Sequence, residues 1–308
     1  MTFQTVIILG VPRSGTTLLR GLLGNYPEVA DVPETPWITG CYLGHDSIRT
    51  LKKRLLSEEF GIWTAYTGLL PEAVDRAIDG FFEGLFGDWL KEHKKRVLVL
   101  KTPDDVLYLD DLVGIFPHAR YVHIVRDPRD VTLSTLKKFG VLNGYGAATP
   151  HICLRRWLDF EQRIRARFEG ASNYTCVRYE TLVQSPQETL QGLAGFLGLK
   201  HAPLTIVPNQ KNLSASEAGS RDVLATGGVE RNVARFRSQP LTVEQRLVFN
   251  AWNQTFESYG YTPVTFEVGV LAGLRVRVWQ AARMLRKQVL SRLWRALPMR
   301  LRRARKDA

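Results

Sequence analysis

Cysteine is scarce in this chain: Cys41, Cys153 and Cys176 are spread over 308 positions. An odd, widely spaced set with no CxxC pair and no nearby histidine pair excludes a disulfide-stapled scaffold and a cysteine-based zinc site. A reduced, cytoplasmic setting is expected, with the inner membrane face as a peripheral option. Long hydrophobic runs are also missing. The apolar stretch inside MTFQTVIILGVPRSG is short and has no basic residues before it. It therefore reads as a buried first strand rather than a signal peptide or membrane anchor. There is no DxD motif and no cluster of His and acidic residues at metal-ligand spacing, so no metal is expected.

Negative charge is the other shortage. Thirty Asp and Glu stand against 42 Lys and Arg, a formal net charge of +12. Such a balance points to nucleic acid, a membrane surface or an anionic substrate. The excess is local, however. From Val264 onward twelve Lys and Arg face only Glu267 and Asp307, net +10, which leaves +2 for residues 1–263. The main body carries no broad basic face, and nucleic acid is not an expected partner.

What is present is an alternation of strands and helices. Thr5–Gly10 is a continuous β-branched run, as in a parallel strand covered on both faces. Arg96–Lys101, Arg120–Val125 and Tyr174–Tyr179 read as further strands. Thr16–Leu23 has helical spacing immediately after a glycine-rich turn. Residues 45–95 read as helical, with Phe81, Phe82, Phe86 and Trp89 expected in the core. Helices are also expected after Ala147, over Val243–Tyr259, and over Ser185–Leu197, where Ser-Pro followed by Glu is a capping-box pattern. Residues 205–235 read as a loop. The alternation implies an α/β fold of three layers, α/β/α, around a mostly parallel sheet of the P-loop nucleotide-binding type.

The chemistry concentrates at the first strand-to-helix corner, Gly10-Val11-Pro12-Arg13-Ser14-Gly15-Thr16-Thr17. Free backbone N–H groups and the helix dipole make such a corner an anion site. Gly10 and Gly15 have P-loop spacing, but the position after Gly15 is Thr16 where an ATP- or GTP-using loop carries lysine. The positive charge sits at Arg13 instead, inside the loop. A second motif runs from His123 to Ser134. It places Arg126 at a strand end and Ser134 eight residues later, so that both can converge on one phosphate.

With these two motifs the chain resembles the PAPS-dependent sulfotransferases, especially the tyrosylprotein and bacterial branches, whose 5'-phosphosulfate loop reads PRSGTT. PAPS is 3'-phosphoadenosine 5'-phosphosulfate. The resemblance covers roughly residues 4–262, strongly at the motifs and weakly between them. It implies sulfuryl transfer from PAPS to an acceptor hydroxyl by residues 1–263. Arg13, Ser14, Gly15, Thr16 and Thr17 would form the phosphosulfate loop, and Arg126 with Ser134 the 3'-phosphate site. Read alone, Glu34 in Asp31-Val32-Pro33-Glu34-Thr35-Pro36 is a solvated loop charge. The family resemblance implies that it is the catalytic base. Lys101 ends a strand at the carboxyl edge of the sheet, where open α/β folds bind ligands. The resemblance makes it a contact of the bridging oxygen.

Tyr179 in the RYE segment matches a ring near the adenine, and a core tyrosine fits equally. Ser220 resembles a serine closing over the phosphosulfate, and Arg235 in Ala-Arg-Phe a basic residue reaching the nucleotide. The RKG motif of the cytosolic small-molecule enzymes is absent, which speaks against phenol- or steroid-type acceptors. Glycan, peptide and lipid-linked hydroxyls remain open. The competing classes are a P-loop kinase or nucleotide hydrolase, which Thr16 disfavours, and a non-catalytic binding module.

Residues 264–308 read as a basic amphipathic helix. Leu271, Leu274, Val278, Ala282, Leu285, Val289 and Leu293 form its apolar stripe, with arginines and lysines interleaved. Trp279 and Trp294 suit the interface of an anionic membrane. Packing on its own domain or on a second subunit of a homo-oligomer fits the same pattern, as does binding a polyanion.

Overall fold

The computed structural model describes residues 1–41, 47–57, 71–139, 149–200, 233–274 and 278. Five strands form one parallel sheet, β1 Gln4–Leu9, β2 Val29–Asp31, β3 Val97–Leu100, β4 Arg120–Val125 and β5 Tyr174–Arg178, in the order β2-β3-β1-β4-β5. The three central strands are almost wholly apolar and buried. Each Val or Ile so buried contributes roughly 1.5–3 kcal/mol, which is why these runs form central rather than edge strands. The strand β2 is only three residues long. It lacks a period long enough to be read from sequence, and it exists because Val29, Ala30 and Asp31 pair with Val97, Leu98 and Val99.

Helices connect the strands and complete the expected three-layer α/β/α arrangement. They are α1 Thr16–Leu23, α2 Ile48–Leu55, α3 Pro71–Phe82 and α4 Asp88–Glu92, with a π-helical turn at Glu83–Gly87 between the last two. A 3₁₀ segment, Pro103–Tyr108, leads into α5 Leu109–Ile115; α6 Pro128–Phe139 and α7 Pro150–Phe168 follow β4. After β5 come α8 Tyr179–Gln184, α9 Pro186–Leu197 and the short α10 Arg235–Ser238. The helix α7 starts as its sequence dictates, with Thr149 accepting from Ile152 N–H and Pro150 in the first turn.

Three expectations differ from the structure. Ser185 makes no capping hydrogen bond at α9. Its own N–H still donates to Thr181 O at the end of α8, so one residue serves two helix ends and lacks the extended backbone that a cap requires. Phe82 is fully buried, yet Phe81 and Trp89 are 47% and 42% exposed. Val74, Ile78 and Phe82 form the buried stripe of α3 at i, i+4 steps, which leaves the neighbouring Phe81 off that face, and the π turn after Phe82 shifts the phase at which Trp89 follows. The span Val243–Tyr259 is two helices, α11 Val243–Ala251 and α12 Asn253–Ser258, broken at Trp252.

The chain divides into two compact units, Met1–Ser238 and Gln239–Ala308. Within the second, Asn250 and Asn253 use their side-chain amides to pair both backbone groups of Phe266 and Val264. Residues 271–274 are helical, and Val270, Leu271, Leu274 and Val278 are strongly exposed. The rest of the expected tail helix lies outside the described residues. Among the described residues no helix is long and apolar enough to cross a membrane.

Candidate active site

The strand order places β1 between β3 and β4, so the loop after β1 is flanked by the ends of two strands made far apart in sequence. Residues leaving β3 and β4 therefore meet the Gly10–Thr17 loop from opposite sides. The loop is tight. Gly10 and Gly15 have φ of 154° and 101°, and Arg13, unusually for a side-chain-bearing residue, has φ 77°. Gly15 is required twice over, because a Cβ there would lie 2.4 Å from Cδ2 of Tyr179. Ser14 is buried and donates its hydroxyl to Val11 O at 2.7 Å, bracing the turn from within. Thr16 is buried as well. What this loop offers outward is backbone N–H groups, Arg13 and Thr17.

On the β3 side, Lys101 follows the strand directly and is 1% exposed. Its Nζ donates to Glu34 Oε1 at 2.7 Å and to Thr17 Oγ1 at 3.2 Å. The structure thus joins Lys101 to two residues that precede it by 67 and 84 positions in sequence. Glu34 sits on a segment pinned at several points. Arg20 donates to Val32 O at 3.0 Å, Thr35 N–H to Thr102 Oγ1 at 2.9 Å, and Thr39 Oγ1 to Asp105 Oδ1 at 2.5 Å.

On the β4 side, Arg126 donates to Arg13 O at 3.2 Å and lies 4.2 Å over the Tyr179 ring. Its own carbonyl accepts from the buried Trp157 indole at 3.2 Å, which holds the end of the strand. Ser134 meets Arg13 rather than Arg126, accepting from Nε at 3.1 Å. Burial, and then the neighbouring Arg126 charge, lower the Arg13 pKa; two guanidiniums this close lose hydration and repel, so the pair favours an anion. Burial raises the Tyr179 pKa, while Arg126 and Arg235 act in the opposite direction, which places Arg235 in the same neighbourhood. Ser220 lies outside the described residues.

The site also contains residues that the sequence pattern did not single out. Asp130, one helical turn after Arg126, approaches Arg126 Nη2 at 3.8 Å and accepts from Phe236 N–H at 3.0 Å. Burial, with Asp127 and Glu180 adding to it, pushes the Asp130 carboxyl up to about 6 against the pull of Arg126 and that N–H. Arg129 is clamped by both oxygens of Asp127 and stacks 3.9 Å over Phe236. Together these fix α10, and so Arg235, to the first turn of α6. The i,i+4 spacing of Arg126 and Asp130 was a readable signal; the contact with Phe236, more than a hundred residues away, was not.

Cations thus outnumber anions around a loop of outward-facing amides, an arrangement that fits a ligand bearing more than one phosphate- or sulfate-like group. Among the described residues no group of acidic, His and Cys side chains could hold a metal.

The chain is similar to known proteins. Nodulation protein NoeE of Sinorhizobium fredii is 28% identical over 261 residues, covering 77% of this chain and 61% of that protein, less than two thirds of its length. Protein-tyrosine sulfotransferase 1 of Danio rerio is 27% identical over 268 residues, covering 84% of this chain and 72% of the other. The solved sulfotransferase domain of the Synechococcus PCC 7002 olefin synthase superposes with a TM-score of 0.53 over 84% of this chain and 94% of that one; at 22% identity it establishes the shared fold. Residues 5–203, from the first residues of β1 past the end of α9, match the model of the sulfotransferase family, and the chain belongs to that family.

Proposed function

We propose that this protein transfers the sulfuryl group of PAPS to an acceptor hydroxyl by in-line displacement, with Glu34 as general base. The observation that carries the reading is the Glu34–Lys101 pair at 2.7 Å beside a phosphate loop whose Walker lysine is replaced by Thr16. A carboxylate and an ammonium side by side at an anion loop supply both needs of the reaction. One takes the acceptor proton, and the other meets charge on the leaving oxygen.

In this reading the acceptor oxygen forms a bond to sulfur as the bond from sulfur to the bridging phosphate oxygen breaks. Glu34 Oε accepts the hydroxyl proton. Lys101 turns from Glu34 to the bridging oxygen, and Arg13 and the loop amides hold the non-bridging oxygens. Arg126 and Ser134, the latter next to Arg13, would take the 3'-phosphate that distinguishes PAPS from ATP. Tyr179 and Arg235 would border the nucleotide, with Ser220 closing over the phosphosulfate. The relatives named as protein-tyrosine sulfotransferases make a peptide tyrosine the first acceptor to test, ahead of glycan and lipid-linked hydroxyls.

The test offers ³⁵S-labelled PAPS and γ-labelled ATP with mixed acceptors. Label is expected to move from PAPS; movement from ATP alone would overturn the assignment. Glu34→Gln should bind PAPS within about threefold of wild type and lose at least about a hundredfold in kcat. Full activity in that variant removes Glu34 as the base.

We infer in addition that the tail beyond residue 264 rests on an anionic lipid surface, supported by the exposed Val270, Leu271, Leu274 and Val278 and by the net charge of +10. Full-length protein should sediment with phosphatidylglycerol vesicles and not with phosphatidylcholine vesicles. Leu271→Glu with Leu274→Glu should abolish the difference.

A further inference from the structure

Asp105 is 4% exposed and lies on the 3₁₀ segment that begins two residues after Lys101. Its Oδ1 accepts the Thr39 hydroxyl at 2.5 Å, and Thr39 is itself fully buried on the segment that carries Glu34. The Cys41 thiol adds a second hydrogen bond to the same carboxyl. Thr39 is tied on its other side too, since Arg49 on α2 donates to Thr39 O at 2.6 Å. The turn between Glu34 and Thr39 is closed by Ile38 N–H to Thr35 O and Gly40 N–H to Pro36 O. Movement at Thr39 therefore reaches Glu34 through a short, internally bonded turn.

An asparagine at this position would keep the Thr39 hydrogen bond without a buried charge. Burial of an acid costs several kcal/mol when it ionises, so a carboxyl here is an expensive way to hold one hydroxyl. A charge, however, reaches further than a hydrogen bond. The groups facing Asp105 are Asp104 on its own segment, and Glu34, Thr39 and Cys41 on the opposite one. Asp104 is already paired with Arg156 of α7, and Glu34 with Lys101. Arg49 bonds to the Thr39 carbonyl and approaches Asp111 of α5. The nearby acid without a cation of its own in this set is Asp105.

We propose that Asp105 is a positioning residue for the active site, which holds the Glu34 segment through Thr39 and, as an acid in place of an amide, makes that hold depend on its ionisation. This rests on the sulfuryl-transfer reading for its catalytic consequence but not for its structural one. Burial first, and then Asp104 and Glu34, push the Asp105 carboxyl up to about 7 against the hydrogen bonds from Thr39 and Cys41. The hold is thus fully present with the carboxyl protonated and is weakened as Asp105 ionises above that pH. For stability the sign is the same. A carboxyl whose folded pKa is raised stabilises the fold in its protonated form, and that contribution disappears as pH rises through 7.

The experiment follows the peptide 31–41 by amide hydrogen exchange between pH 6 and 8, corrected for intrinsic rates, in full-length wild type, Asp105→Asn, Thr39→Val and Thr39→Ser. In the wild type, protection of this peptide should fall as pH rises through 7, because opening that solvates Asp105 is favoured once it ionises. Asp105→Asn should remove the pH dependence, and Thr39→Val should lower protection about tenfold, restored by Thr39→Ser. In the transfer assay kcat should fall about fivefold in Thr39→Val and recover in Thr39→Ser, with the KM for PAPS within twofold. Asp105→Asn should also melt higher than wild type at pH 8, by a margin that shrinks as pH falls toward 4. Peptide protection that is flat with pH in the wild type, or unchanged in Thr39→Val, overturns the proposal whether or not the protein transfers sulfate.

Discussion

On the β3 flank of the phosphate loop, Lys101 is met by a carboxylate at 2.7 Å and a hydroxyl at 3.2 Å, while on the β4 flank Arg126 is met by a carbonyl at 3.2 Å, a ring face at 4.2 Å and a carboxylate at 3.8 Å. The first cation is seated on an acid that can be exchanged for another anion. The second is framed by backbone, an aromatic ring and a strand end pinned by Trp157. An ammonium is a point charge on a flexible stem, suited to follow charge as it moves, whereas a guanidinium is a planar fork suited to hold a fixed oxyanion. Under the proposed function the two flanks divide the work, with transfer on the β3 side and retention of the donor on the β4 side.

The largest effect that would break this division is expected at Lys101. Lys101→Ala should lower kcat about a thousandfold, the loss typical of one preorganised donor to a developing charge, while nucleotide affinity measured by calorimetry changes less than tenfold. Equal losses in both quantities would merge the two flanks. Next in size is Arg126→Ala, which should weaken binding of 3'-phosphoadenosine 5'-phosphate about a hundredfold, in line with the loss of a charge-assisted bond. Binding of a nucleotide without the 3'-phosphate should not change, and a parallel loss for both nucleotides would move Arg126 out of that role.

Ser134→Ala should cost about threefold in KM for PAPS, because Ser134 acts through its bond to Arg13. The smallest effect on turnover is expected from a pair away from both flanks. His123 and Glu161 are fully buried and 3.2 Å apart. Burial alone would discharge the imidazole, but Glu161 and Cys176 outweigh it and lift the His123 pKa to about 9. A raised histidine stabilises the fold below its unfolded pKa near 6.5 and stops doing so as pH rises through 9. The melting temperature should therefore fall between about pH 6.5 and 9, and Glu161→Gln should flatten that fall while leaving kcat at pH 7 within about twofold.

Much of the scaffold was legible because its signals are local. β1, β3, β4 and β5 are runs of β-branched and apolar residues, and α1 lies where the helical spacing after the glycine turn put it. The strand β2 was not legible, since three residues carry no period. The exposed Phe81 was misread because its neighbour Phe82 takes the buried place on α3, and Trp89 because a π turn leaves no mark in the spacing of apolar residues. At the site, Arg13, Glu34, Lys101, Arg126 and Ser134 were nameable from two motifs and a family resemblance, and the structure brings all five around one loop. Asp105 and Phe236 were invisible, and of Asp130 only its spacing from Arg126 was readable, because nothing in a neighbouring residue marks a buried acid or a ring as a brace for a partner 66 or 106 positions away.

What the amino-acid sequence by itself determined is the kind of machine. A glycine turn after a buried strand must present amides to an anion, and the absence of lysine after Gly15 separates this loop from those that use ATP or GTP. Tertiary structure alone decided which strand ends lie beside that turn. Hydrogen-bonded pairing of β1 with β3 on one side and β4 on the other sets Lys101 and Arg126 on opposite flanks. The physical reason is that register between distant strands is chosen by the burial of whole faces, a global quantity that no short stretch of sequence contains.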